Sequence, residues 1–168
     1  MENLHEKTLF FDDGYLDTYT YARYVVGCYA YPKVVGVITD FVGVPITWAK
    51  YQGGKAIPTM GLSQLKDLIS NGWRIAGHSK THPRLTMLPI SQAKKEIHYC
   101  HQWIRRKLGV DPLCFVFPYT DFNDELFAYA AEIFPTVRSY EQSHSRYVFH
   151  TFGSLPERRR LLKIVNEK

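Results

Sequence analysis

Apolar residues in this chain gather into short continuous runs and do not alternate with polar ones. Thr8 to Phe11, Lys33 to Thr39 (KVVGVIT), Trp73 to Gly77 (WRIAG), Leu113 to Phe117 (LCFVF), Thr136 to Tyr140 (TVRSY) and Tyr147 to Phe152 (YVFHTF) read as strands. Runs that are β-branched and almost wholly apolar are the pattern of strands buried on both faces. Between them the period changes to that of a helix. Leu62, Leu65, Leu68 and Ile69 share one face of Gly61 to Asn71, with Ser63 as N-cap and Gly72 as stop. Ser91 to Leu108 places Ile97, Trp103, Ile104 and Leu108 on one side, and Asn123 is placed to cap a helix running through Ile133. Strand and helix alternate, which predicts an α/β fold with a parallel sheet. A closed eight-fold barrel takes about 250 residues. Five or six strands in 168 residues therefore predict an incomplete or distorted (β/α) barrel, one domain over residues 1–168.

Composition narrows the partners. The net charge of +5 is mild and partly concentrated in Arg158-Arg159-Arg160, a run that reads as a solvated helix face and not as a nucleic-acid patch, although it would also suit an acidic polymer. No stretch approaches the ~18–20 apolar residues of a membrane span. Cys28, Cys100 and Cys114 lie far apart and form no CxxC pair, so all three are expected to be reduced. With no basic and apolar leader in MENLHEKTLFF, the expectation is a cytoplasmic location.

The candidate chemistry sits where the strands end. In parallel (β/α) folds, active sites lie at the C-terminal ends of the strands, and there this chain carries Asp12-Asp13, His78 and His82, and Pro118-Tyr119. Asp-Gly after a strand is a common turn pair, but two adjacent carboxylates repel each other. HxxxH over His78 to His82 is a weak metal signal by itself, since seven histidines make chance pairs easy. With a carboxylate from another strand end the set becomes two His and one Asp, which leaves a coordination position open to water.

In order along the chain, FFDDG, GWRIAGHSKTHPRLTML and CFVFPYTDFND resemble the polysaccharide deacetylase family, carbohydrate esterase family four, over roughly Thr8 to Tyr140. The resemblance implies an incomplete barrel of the polysaccharide deacetylase type, removing N-acetyl groups from an amino-sugar polymer or oligomer and releasing acetate. It implies one divalent metal, zinc by ligand type with cobalt or nickel as alternatives, held by Asp13, His78 and His82. Asp12 would be the general base and the Tyr119 backbone N–H would face the oxyanion. Pro118 and Arg138 would contribute to substrate binding, Arg138 standing in for an arginine that the family often carries beside Pro-Tyr. The general acid would be His150, with His144 or Asp12 itself as alternatives. His98 and His101 read as surface residues.

Three positions depart from the family pattern. Phe10 replaces a threonine, a change of packing. Thr120 stands where glycine is frequent, and His150 follows the Pro-Tyr segment unusually soon. Tyr15, Tyr19, Trp48, Tyr51 and Tyr119 are candidate sugar platforms, and Val42 to Pro58 a candidate substrate-facing loop. The competing readings are a metal-dependent amidohydrolase on a small non-sugar amide and a carbohydrate-binding relative without turnover. The expected partner is an N-acetylated carbohydrate, with neither nucleic acid nor membrane insertion.

Overall fold

The computed structural model describes residues 8–27, 30–47, 56–138 and 147–149. Six strands, β1 (Leu9–Phe11), β2 (Lys33–Val37), β3 (Arg74–Gly77), β4 (Phe115–Val116), β5 (Val137–Arg138) and β6 (Tyr147–Phe149), form one sheet in the order β5-β4-β3-β2-β1-β6. Every pairing is parallel. β5 and β6 are the two edges, so the described strands make an incomplete barrel. Among the described residues, four helices connect or flank them: α1 (Arg23–Gly27), entered through a π-turn at Thr18–Ala22, α2 (Leu62–Ser70), α3 (Ile90–Leu108) and α4 (Asp124–Ile133). Among the described residues, no helix is long and apolar enough to cross a membrane.

The period of two along a strand sorts its side chains between two layers. Phe10, Val34, Ala76, Cys114 and Val116 pack together in one layer. Leu9, Phe11, Val35, Val37 and Ile75 pack the other way, against Leu65 and Leu68 of α2 and Cys100, Ile104 and Leu108 of α3. Phe115 and Phe117 meet Ala93 and Ile97 of α3 and Leu126, Ala130 and Phe134 of α4 or its end. Helix α3 thus joins two apolar clusters. Trp103, expected on its buried stripe, is only half-buried, and Ala93 and Cys100 occupy the inner positions.

Helix ends follow local chemistry. Asn123 Oδ1 accepts the Leu126 N–H at 3.0 Å, the expected cap of α4. The cap of α2 is Gly61 and not Ser63: the helix starts at Leu62, and Gln64 Oε1 accepts the Gly61 N–H at 2.7 Å. Of the histidines assigned to the surface, His98 is exposed, whereas His101 is half-buried with its ring 5.1 Å from that of Phe134.

Cys100 and Cys114 are free and fully buried, and burial pushes both thiols up to about 12. Both stay protonated at neutral pH and unreactive. A Cys28→Ser variant is therefore expected to show no thiol reacting with a disulfide reagent at pH 8 in the native state, and two in denaturant. Native labelling on the minutes scale would contradict this burial. Cys28 lies outside the described residues.

Candidate metal and catalytic site

Three strand ends bring their polar residues to one point. β1 ends at Phe11, and the chain turns through Asp13 (φ 69°) and Gly14 (φ 67°). Gly14 adopts that conformation at no steric cost, while Asp is one of the few side chains that tolerates it. β3 ends at Gly77, placing His78 at the rim, and the following loop passes through Ser79 (φ 64°) and His82 (φ 64°). The segment after β4 holds Tyr119 (φ 57°) and Thr120 (φ 56°). These five are all the non-glycine residues with positive φ among those described, and all lie in the three segments singled out as candidate chemistry. Backbone strain concentrates where side chains must be aimed. It also accounts for Thr120 as a departure: a left-handed position favours glycine, and a β-branched residue there is strained.

Asp13 Oδ1 lies 3.2 Å from His78 Nε2 and 3.2 Å from His82 Nε2, and the two Nε2 atoms are 3.1 Å apart. All three side chains are largely buried. The spacing fits a metal centre, because tetrahedral bonds of about 2.0–2.1 Å give ligand–ligand edges of about 3.3 Å. His78 Nδ1 lies 2.8 Å from the Val116 carbonyl and carries a proton to it, so the neutral ring would offer its Nε2 lone pair to a metal, whereas a protonated Nε2 donates to Asp13. Two imidazole nitrogens and a carboxylate suit zinc, cobalt or nickel. Burial alone would lower the His78 pKa, but its hydrogen bond to Asp13 and the charges of Asp12 and Asp13 outweigh burial and hold it above the usual value. At His82 burial prevails, helped by His78 against the pull of Asp13, and the pKa is lowered.

Asp12 is 2 % exposed and its Oδ1 has no hydrogen-bond partner among the described residues. Gly36 of β2 makes room for it: a Cβ there would stand 2.9 Å from that oxygen and 3.7 Å from the His78 Cβ. Glycine inside an otherwise β-branched strand signals close approach of another group. Gly36→Ala is expected to keep the fold while pushing the Asp12 carboxylate aside, and turnover lowered at least about tenfold would show that the position of this carboxylate matters. Wild-type turnover in Gly36→Ala would show that the position of Asp12 is not critical.

Side chains outside the three segments hold this geometry. Ser79 Oγ accepts the His82 N–H at 2.9 Å. Glu96 of α3 takes the Thr81 N–H at 2.7 Å and the Thr81 hydroxyl at 2.9 Å, fixing the loop between the histidines. Asp121 takes the Thr86 N–H at 2.9 Å and its hydroxyl at 2.7 Å, tying the loop after β3 to the one after β4. Tyr15, a candidate sugar platform, is instead buried beside Ile38, Ile46 and Ile57. Burial first, then the charge of Asp13 and a hydrogen bond to it, push the Tyr15 phenol far up, so its hydroxyl donates to the carboxylate and steadies it. Tyr19 lies under the Arg23 guanidinium, 3.8 Å from the ring centroid, and is not an open platform.

Arg138 is buried on β5, its guanidinium carbon 3.9 Å from the centre of the Phe10 ring. Phe10 therefore does more than pack: it is the cation–π floor for this arginine. Arg138 and Asp12 both act on the buried Cys114 thiol, in opposite directions and less than burial does. Pro118 is buried, and Tyr119 is half-exposed with its ring 4.6 Å from that of His82. His150 and His144 lie outside the described residues, as do Trp48 and Tyr51. In the candidate loop, Ile46 and Ile57 are bridged antiparallel, which closes its base around the undescribed 48–55.

A family model described as Polysaccharide deacetylase matches residues 5–134. No curated protein matches the sequence. Similar solved structures include the Streptococcus pyogenes deacetylase PplD in complex with acetate, at 21% identity over 75% of this chain and 51% of that one, TM-score 0.63. The BpsB deacetylase domain from Bordetella bronchiseptica is 25% identical over 75% of this chain and 60% of that one, TM-score 0.62. The peptidoglycan deacetylase PdaC from Bacillus subtilis is 18% identical over 98% of this chain and 84% of that one, TM-score 0.66. The chain thus spans between half and two-thirds of the length of the first two.

Proposed function

The chain belongs to the polysaccharide deacetylase family, and from that premise we propose that it is a metal-dependent N-deacetylase, one catalytic unit that hydrolyses the acetamido group of an amino-sugar polymer or oligomer. The observation that carries this reading is the convergence of Asp13, His78 and His82 within 3.2 Å of one another, with the carboxylate of Asp12 next in the chain. The three converging side chains would hold one divalent ion, zinc by the softness of the set. Such an ion, when bound, supplies Lewis acidity, bringing the pKa of a water towards about 7 and polarising the acetamido carbonyl.

The chain's own residues divide the remaining work. Asp12 accepts the proton of the attacking water. The Tyr119 backbone N–H donates to the developing oxyanion. Tyr15 and Val116 keep Asp13 and His78 oriented. Pro118 shapes the floor beside the acetyl group, and Arg138 contributes its buried positive charge from β5. His150 returns a proton to the leaving amine. Metal-free protein given zinc, cobalt or nickel should generate free amine from an N-acetylated oligosaccharide, and a chelator should stop it. Amine formation that persists unchanged with the metal stripped away would refute metal dependence.

A further inference from the structure

We infer that Arg84 forms a subsite for a carboxylate on the sugar ring next to the one that is deacetylated, so that the preferred substrate is an acidic polymer or oligomer; this rests on the deacetylase reading. Arg84 follows His82-Pro83 directly and is exposed, with its guanidinium carbon 4.7 Å from the centre of the Tyr119 ring. That ring in turn lies 4.6 Å from the His82 ring and is 49 % exposed. A positive charge therefore stands on the ring of Tyr119, which itself borders the His82 ring of the candidate metal site. A guanidinium suits a carboxylate through paired N–H donors, and stacking on Tyr119 holds this one in place.

The charges around it leave this arginine available. Asp121 is engaged by the Thr86 N–H and hydroxyl, and Asp40 by Lys80 at 3.4 Å. Among the described residues, no carboxylate pairs with Arg84. The Thr86–Asp121 bonds also fix the Arg84 loop against the Tyr119 loop, so the pair is organised before a ligand arrives.

The test uses two N-acetylated disaccharides that differ only in carrying a carboxylate or a hydroxymethyl on the neighbouring ring. Affinity is measured by calorimetry, and kcat/KM by amine release, on zinc-loaded wild type, Arg84→Gln and Arg84→Lys. Wild type should favour the acidic sugar by about tenfold or more, the worth of a charge-assisted hydrogen bond, and rising salt should erode the preference. Arg84→Gln should abolish the preference while changing the neutral sugar less than about twofold, and Arg84→Lys should keep part of it. No preference in wild type, the same preference in Arg84→Gln, or equal losses on both sugars would overturn the inference. Because binding is read separately, acid-selective binding through Arg84 without hydrolysis would refute the deacetylase reading and leave the subsite standing. Hydrolysis of both sugars at equal efficiency would do the reverse.

Discussion

Asp12→Asn is expected to bind one equivalent of zinc as wild type does and to lower kcat/KM for an N-acetylated sugar by about 10²–10⁴-fold, the worth of a general base. Asparagine is nearly isosteric, so the pocket beside Gly36 still receives it and the three converging ligands are untouched. What is lost is a proton acceptor. A buried carboxylate oxygen with no hydrogen-bond partner among the described residues is costly to maintain unless a cation or a reaction uses it. Activity lost together with zinc would move Asp12 into the metal set, and activity retained would remove it from the chemistry.

Asp13→Ala is expected to produce the opposite pairing of effects. It removes the oxygen on which His78 and His82 converge at 3.2 Å, and with it the hydrogen bond from Tyr15. Loss of an outer-shell partner already costs about 10–100-fold in metal affinity, so loss of the ligand itself should cost more than about 10²-fold and reduce turnover to background. Thermal unfolding reads this without any substrate. A ligand at a hundred times its Kd stabilises by about 2.7 kcal/mol. Zinc should therefore raise the unfolding temperature of wild type and Asp12→Asn, and leave that of Asp13→Ala unmoved at the same concentration. An equal zinc-induced rise in all three proteins would place the ion elsewhere.

Much of this could be read along the chain because the physics is local. Runs such as KVVGVIT carry their burial in their composition, and strand and helix alternate where the parallel sheet places them. The segments DDG, HSKTH and PYT stand out because polar residues follow apolar strands directly. Contacts that depend on three-dimensional neighbours left weaker traces. Nothing in the spacing from Thr81 to Glu96, or from Thr86 to Asp121, marks a loop clamp. The role of Gly61 as cap in place of Ser63 turned on where the first helical turn begins, a choice of two residues that periodicity does not make. By residue type Tyr15 reads as a platform, whereas its position two residues after Asp13 sends its ring inward and its hydroxyl to the carboxylate. Gly36 does leave a mark in the sequence: it interrupts a β-branched strand where Asp12 needs the space.

A metal held by Asp13, His78 and His82 and a base at Asp12 are together expected to hydrolyse an acetamido group. The most direct measurement loads wild type with one equivalent of zinc, incubates it with an N-acetylated oligosaccharide, and quantifies acetate and free amine in the same sample. The two products should appear in equal amounts over many turnovers, and neither should form in metal-free protein. One equivalent of zinc firmly bound, with no acetate released from any N-acetylated sugar, would contradict the account.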